Sequence, residues 1–358
     1  MESENAPLMQ GVPSQTTDNR TYSSFQPLNG EEIIIETQGT DGSTHRLRLS
    51  NDEKPLKTIG MFGSFVLLVN NLTGPGMLGF PNLFQKAGIL PVLGGITFVF
   101  ISASLCGTFL ADSIASIPNN HNFDLQVDFS SAFRYTVGED WYVVAETLFL
   151  ISCFVQAIAG IVETAQSLDG FIASFLIGKT YAFEFYPRFQ VISWSPELCH
   201  EETEMSEESN LEDCTPFHNA GTLVLTLGFL ITTLMFLPLG RGHLKETIIV
   251  QIISFVFMLI LLFQFSGEFM NRGLDYKLPW VGNEVSQLAG VILFNYAFSI
   301  TIPAWLSEKS NKVSVNKVVW TSSILASAIY VVFGIMGAMA FAQVGPNILI
   351  LLTSSKVR

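Results

Sequence analysis

One run of residues near position 70 has the composition of a ligand site within an apolar stretch: Val69-Asn70-Asn71-Leu72-Thr73-Gly74-Pro75-Gly76-Met77-Leu78-Gly79-Phe80-Pro81. Proline lacks an amide proton and clashes with the preceding turn, and the flanking glycines release the backbone, so the spacing predicts an unwound stretch at Thr73–Gly76. Backbone left open within a bilayer must face protein or a watery cavity, which predicts a cavity there. The amides of Gly74, Gly76 and Met77 then sit at the positive end of a following half-helix and suit a carboxylate. A second run, Phe294-Asn295-Tyr296-Ala297-Phe298-Ser299-Ile300-Thr301-Ile302-Pro303-Ala304-Trp305, predicts a second half-helix starting near Ser299. Carbonyls around Phe294–Tyr296 would end the first half and suit an ammonium group, so the two breaks together suit a zwitterion. Either break alone could be a plain kink, because Gly and Pro are common in membrane helices. Breaks at matching positions of two five-helix repeats are instead the pattern of a midplane site.

Further polar residues fall inside the third apolar segment, where Glu146, Gln156, Glu163, Gln166 and Asp169 occur. Ser152, Gln156, Gly160, Glu163 and Ser167 recur every three or four residues, giving one stripe that could line a solvent path. An intramembrane acid is costly and usually faces the bundle interior. Glu163 is therefore the candidate for proton coupling, the alternative being a carboxylate at the headgroup boundary. The expected substrate contacts are Thr73, Gly74, Pro75, Gly76, Met77, Gln156, Phe294, Asn295, Tyr296, Phe298 and Ser299. Tyr296 and Phe298 would close over an aliphatic side chain. Asn70, Asn71 and Gln251 read mainly as interhelical hydrogen bonding.

Two cysteines, Cys199 and Cys214, lie in one acidic loop, where they read as a disulfide if that loop is on the oxidising side of the membrane. Cys199-His200 with Cys214 and His218 is the rival, a loose metal-ligand spacing. No metal is otherwise expected.

The elements that must position these groups follow from composition. With 49% apolar, 12% aromatic and 14% charged residues, the chain belongs to the membrane class. A net charge of -13 without a basic patch excludes a nucleic-acid partner. Residues 1–57 are polar and acidic, with no signal-peptide pattern, and read as a disordered cytosolic tail containing one short strand near Glu31–Thr37. Apolar segments at 59–86, 89–115, 141–177, 218–238, 247–270, 285–308 and 318–343 are each long enough for a bilayer-crossing helix of roughly 20 residues, which makes 58–358 an all-α membrane domain. Basic residues favour an inside N-terminus. Arg20, Arg46, Arg48, Lys54, Lys57, Arg134, Arg241, Lys245, Lys309, Lys312 and Lys317 on that side outnumber Lys86, Lys179, Arg188, Arg272, Lys277, Lys356 and Arg358 on the other.

The runs Asn71–Pro81 with Ala87-Gly88, and Phe294–Lys309, make the chain resemble the amino acid/auxin permease family over about Lys57–Val344. That resemblance implies the LeuT-type inverted-repeat helix bundle of the amino acid-polyamine-organocation superfamily. Family members have about eleven spans, so the expected fold is such a bundle truncated after the seventh span. The resemblance implies a secondary active transporter of small, neutral amino acids, working by alternating access without a cofactor. Its coupling ion, proton or sodium, is not fixed, since sodium-coupled relatives keep ion ligands in the eighth span.

Two other classes compete. A seven-helix receptor would have its N-terminus outside and no matched breaks. A non-transporting amino-acid sensor of the same fold would use the long tail to engage a cytosolic partner. No Ser/His/Asp, metal or nucleotide motif points to an enzyme. The tail also carries Glu4-Asn5-Ala6-Pro7-Leu8-Met9, similar to an acidic dileucine sorting signal, and Tyr22-Ser23-Ser24-Phe25, similar to a tyrosine-based one. Both are peptides that sorting adaptors read, so the expected location is the plasma membrane or a vacuolar or lysosomal membrane.

Overall fold

The computed structural model describes residues 32–38, 44–50, 57–117, 120–195, 217, 222–239, 244–274, 276–345 and 348–349. Both Cys199 and Cys214, and the sorting-type peptides, lie outside these. The chain divides into Met1–Lys54 and Pro55–Arg358. In the first unit the β-branched run Ile33-Ile34-Ile35 favours extended backbone. Strand β1 (Glu32–Gln38) pairs antiparallel with β2 (Thr44–Ser50), Glu32 opposite Ser50 and Gln38 opposite Thr44.

The second unit is a helical membrane domain. Its helices are α1 (Met61–Leu72), α2 (Phe80–Ala87), α3 (Ile89–Ala115), α4 (Phe129–Thr136) and α5 (Glu139–Phe171). They continue with α6 (Leu227–Leu239), α7 (Leu244–Arg272), α8 (Leu288–Asn295), α9 (Ile302–Glu308) and α10 (Val315–Ala340). Among the described residues five helices are long and apolar enough to cross a membrane, and six if the bent pair α1–α2 counts as one.

The span expected at 218–238 is helical only from Leu227, because Leu223–Thr226 is strand β5. It joins β3 (Thr180–Tyr186) and β4 (Gln190–Trp194) in a sheet of order β4-β3-β5. A short apolar run does not by itself distinguish strand from helix, and here backbone pairing with β3 decides it. At its end the long third span widens into a π-helical turn at Ile172–Leu176.

Helix α10 is the hub of the core, packing on α1, α2, α3 and α7. Trp305, Tyr330, Phe80 and Phe84 fill the interior with less than 2% of their surface exposed. By contrast, α5 and α7 turn outward large apolar residues such as Phe154, Phe257 and Phe263. Such faces suit lipid, in which they need no polar cover.

Both ends of the α1–α2 and α8–α9 pairs are tied together. At the N-terminal side, Ile59 bridges Lys309: Ile59 N donates to Glu308 O at 3.2 Å and Ser310 N to Ile59 O at 2.9 Å. Lys57 Nζ adds bonds to Asp124 Oδ1 at 2.6 Å, Asn311 Oδ1 at 3.0 Å and the carbonyl of Asn122. Lys309, 4% exposed, lies 4.7 Å from the centre of the Phe123 ring. Burial, and secondarily the Lys57 charge, hold its ammonium below the ordinary lysine range. At the opposite side Gly282 N donates to Ala87 O at 2.8 Å and Ile89 N to Pro279 O at 3.0 Å. The strap before α8 thereby passes so close to Gly88, at φ 88°, that a side chain there would meet Gly282 N at 2.6 Å.

Candidate functional site

The first break opens as its sequence predicts. Helix α1 stops at Leu72, Gly74 is extended at φ -71° and ψ -175°, and a 3-10 turn occupies Pro75–Gly79 before α2 resumes. The axis bends by 49°. Orphaned carbonyls at a helix end need partners, and here the Tyr330 hydroxyl, stacked by its ring on Phe80 at 4.5 Å, donates to Leu72 O. The second break is milder. Ala297–Thr301 tightens into a 3-10 turn rather than unwinding, and α9 follows at once with Pro303 in its first turn.

Between the two breaks and α5 lies a cavity of about 410 Å³, lined by Gly76, Leu78, Gly79, Ala159, Glu163, Gln166, Gly290, Val291, Phe294 and Asn295. Four expected residues therefore meet there: Gly76, Glu163, Phe294 and Asn295. The approach is close. A Cβ at Gly76 would lie 2.8 Å from Asn295 Nδ2 and 2.9 Å from Oδ1, so the lack of a side chain at 76 is what admits Asn295. Asn295 Nδ2 donates to Val291 O at 2.8 Å. Its Oδ1, and Glu163 Oε2, are buried without a hydrogen-bond partner among the described residues. A buried acceptor left unmatched costs roughly 1–3 kcal/mol and calls for a water, an ion or a ligand. No Lys or Arg is among the described residues that line the cavity, and the amide of Gln166 is the side-chain donor group there besides that of Asn295.

Other expected residues stand elsewhere. Thr73 Oγ1 donates to Val69 O at 2.7 Å and lies 3.0 Å from Met258 Sδ, facing α7. Gly74 has open space where a side chain would be. Pro75 begins the 3-10 turn, in which Met77 N donates to Gly74 O at 3.1 Å, so the Met77 amide is engaged within the chain. Tyr296 bonds Ser327 through its hydroxyl and meets Tyr330 edge-on at 5.7 Å. Phe298, 2% exposed, approaches Gly107 of α3. Ser299 belongs to the second 3-10 turn and Gln156 is half-buried on α5, and neither lines the cavity. The interhelical amides behave as expected: Asn70 Nδ2 donates to Gln251 O at 2.7 Å and Oε1 at 2.8 Å, and Asn71 Nδ2 to Thr301 Oγ1 at 3.4 Å.

Sequence reasoning does not place Leu78, Gly79, Ala159, Gln166, Gly290 and Val291 at the site. The α5 face that lines the cavity is Ala159, Glu163 and Gln166, slightly rotated from the polar stripe of Gly160, Glu163 and Ser167. Ser167 Oγ donates its proton to Glu163 O at 2.9 Å. The small residue Ala159 is the available signal, since it leaves room for the cavity. Asp169 serves elsewhere. Its Oδ1 accepts from Thr180 Oγ1 at 2.7 Å and from Gly228 N at 2.8 Å, fastening α5 to the start of β3 and of α6.

Residues 57–200 match the family model described as transmembrane amino acid transporter protein. The chain is also 23% identical over 290 residues to "Vacuolar amino acid transporter 5" of Schizosaccharomyces pombe, covering 79% of this chain and 59% of that protein. It thus spans about three-fifths of the length of this curated relative. No solved structure matches the chain.

Proposed function

We propose, from the match of residues 57–200 to the transmembrane amino acid transporter family model, that the chain carries small, neutral amino acids across a membrane by alternating access. One observation carries the reading: Gly76, Glu163 and Asn295 converge on one cavity whose two buried acceptors lack donors among the described residues. A zwitterion fits such a site. Its ammonium would satisfy Asn295 Oδ1, and its carboxylate would meet the amides at the opened Gly74–Gly76 stretch, where the half-helix dipole favours negative charge. The apolar walls, Leu78, Val291 and Phe294, suit a small aliphatic side chain. Symport is the mechanism, with Glu163 as the proton carrier, and the broken first helix acts within a LeuT-type inverted-repeat bundle.

Gly76→Val tests this directly. A branched side chain there must displace Asn295, so uptake of neutral amino acids into proteoliposomes is expected to fall at least tenfold, with thermal stability near that of the parent protein. Unchanged uptake at equal protein level would mean that the opened stretch is only a kink. The other reading is a sensor of the same fold, which would bind amino acid and produce no flux in the same vesicles.

The relative's printed name favours a vacuolar or lysosomal membrane over the plasma membrane, with the N-terminus in the cytosol and the tail peptides read by sorting adaptors.

A further inference from the structure

The sheet between α5 and α6 has two unlike faces. In its register Phe183 lies opposite Val191 and Leu225, and Tyr181 opposite Ser193, and residues directly opposite share a face. Thr180, Ala182 and Glu184 occupy the other face and are buried, Thr180 held by Asp169 and Glu184 by Gln190 Nε2 at 2.7 Å. The first face is aromatic and open. Phe185 is 47% exposed, Val191 64% and Phe189, at the tip, 75%. The rings of Phe183, Phe185 and Phe189 contact one another, with centroids 4.7 to 5.9 Å apart. An apolar patch of this kind is rarely left facing water.

What covers it follows from where the sheet is attached. Strand β3 begins just past the turn Ile172–Leu176 that ends α5, and β5 runs without a break into α6, whose Leu234 is 72% exposed. The surface of the sheet is thus continuous with helices that face lipid, and Asp169 fixes both joins. Cations border the aromatics: Lys179 Nζ lies 5.4 Å from the centre of the Tyr181 ring, and exposed Arg188 adjoins Phe189. Aromatic residues flanked by Lys and Arg are the composition of a membrane–water boundary.

We propose that the open face of this sheet lies flat in the headgroup layer, its rings toward the acyl chains and Lys179 and Arg188 at lipid phosphates. Flatness follows from dimensions. The seven residues of β3 extend about 23 Å at the usual strand rise, whereas the headgroup layer on one side is only about 5–8 Å deep. A sheet standing on end would carry Phe189 into water.

Photo-crosslinking tests the placement. The full chain, with benzoylphenylalanine replacing Phe189 or, separately, Phe185, is irradiated in nanodiscs of phosphatidylcholine and phosphatidylserine and weighed intact. Lipid adducts are expected at both positions, in yields comparable to the same probe at Leu234 on α6. Adducts at Phe185 but not Phe189 would mean an upright sheet and overturn the proposal. A crosslink to a second chain, or no adduct at either site, would overturn it equally. Lys179→Glu combined with Arg188→Glu is expected to lower the share of phosphatidylserine in the Phe189 adducts several-fold. An unchanged share would remove the phosphate contacts from the proposal.

Discussion

Two groups of different character line the cavity, a carboxyl group on α5 and an amide oxygen on α8. Asn295 is held by its own helix through Nδ2, which leaves Oδ1 aimed away from the backbone with no donor among the described residues. Glu163 differs in being able to shed its charge. A carboxyl group that takes up a proton on one side of the membrane and releases it on the other needs such a setting, buried and without a fixed counter-ion. Glu163→Gln keeps the shape and removes the titration. Uptake measured across a range of external pH is therefore expected to become nearly flat, while exchange of substrate between preloaded vesicles persists. If the variant keeps the parent pH profile, proton transfer runs through another group. Gly76 and Glu163 stand out in the sequence because glycine next to proline and an acid within a span are each costly without a reason, and with Phe294 and Asn295 they line the cavity. Tyr296 and Phe298, also expected there, do not line it, Tyr296 bonding Ser327 and Phe298 approaching Gly107, because a sequence does not say which way an aromatic ring turns from its helix.

The two breaks differ as elements for a reason visible in their composition. Gly74-Pro75-Gly76 removes both steric restraint and a hydrogen bond, and the axis turns by 49°. The stretch Ala297–Thr301 contains no glycine, and Pro303 enters the first turn of α9, where its fixed φ suits a helix start. The sequence thus reveals where both helices are interrupted, but the degree of opening depends on partners from elsewhere in the chain. Tyr330 is one of these. Tyr330→Phe would keep the stack on Phe80 and remove the donor to Leu72 O. A loss of about 0.6–1 kcal/mol is expected, the usual size for such bonds in a membrane protein, seen as a fall of a few degrees in the midpoint of thermal unfolding in detergent. No change would show that water serves the Leu72 carbonyl as well. The sheet is the element least legible in the sequence. Thr180–Tyr186 does alternate, buried against exposed, yet its neighbourhood of acids and apolar runs reads as a loop on one side and a span on the other.

At the scale of the molecule, the two broken helices are clamped at both ends, by Lys57 and the Ile59–Lys309 bridge at one and by the Gly88–Gly282 strap at the other. A carrier working by alternating access must release these in turn. Lys57→Ala removes the bonds to Asp124 and Asn311 while leaving the backbone bridge. Because the Asp124 partner is half exposed, the change is expected to be modest, about 1 kcal/mol or less, enough to raise several-fold the rate at which an impermeant thiol reagent reaches a cysteine placed at Gly74 from the N-terminal side. An unaltered rate would leave the backbone bridge as the whole of the clamp. Residence in the cell belongs to this scale too. Replacing Leu8-Met9 and Tyr22 with Ala is expected to move a tagged protein from an acidic compartment to the cell surface, and a wild-type protein already at the surface, unmoved by the changes, would discard the sorting signals.

The Lys57–Asn311 contact joins residues 254 positions apart, which has a consequence for how the protein is made. A ribosome adds roughly 5–20 residues per second, so helix α1 enters the membrane tens of seconds before its partner segment of chain exists. At 12 residues α1 alone covers about 18 Å of the roughly 30 Å hydrocarbon core, so α2 must complete the crossing and the open Gly74 lies within the bilayer. The first broken span is therefore expected to wait in the bilayer without Phe294 and Asn295, the α8 residues that wall its cavity in the finished protein.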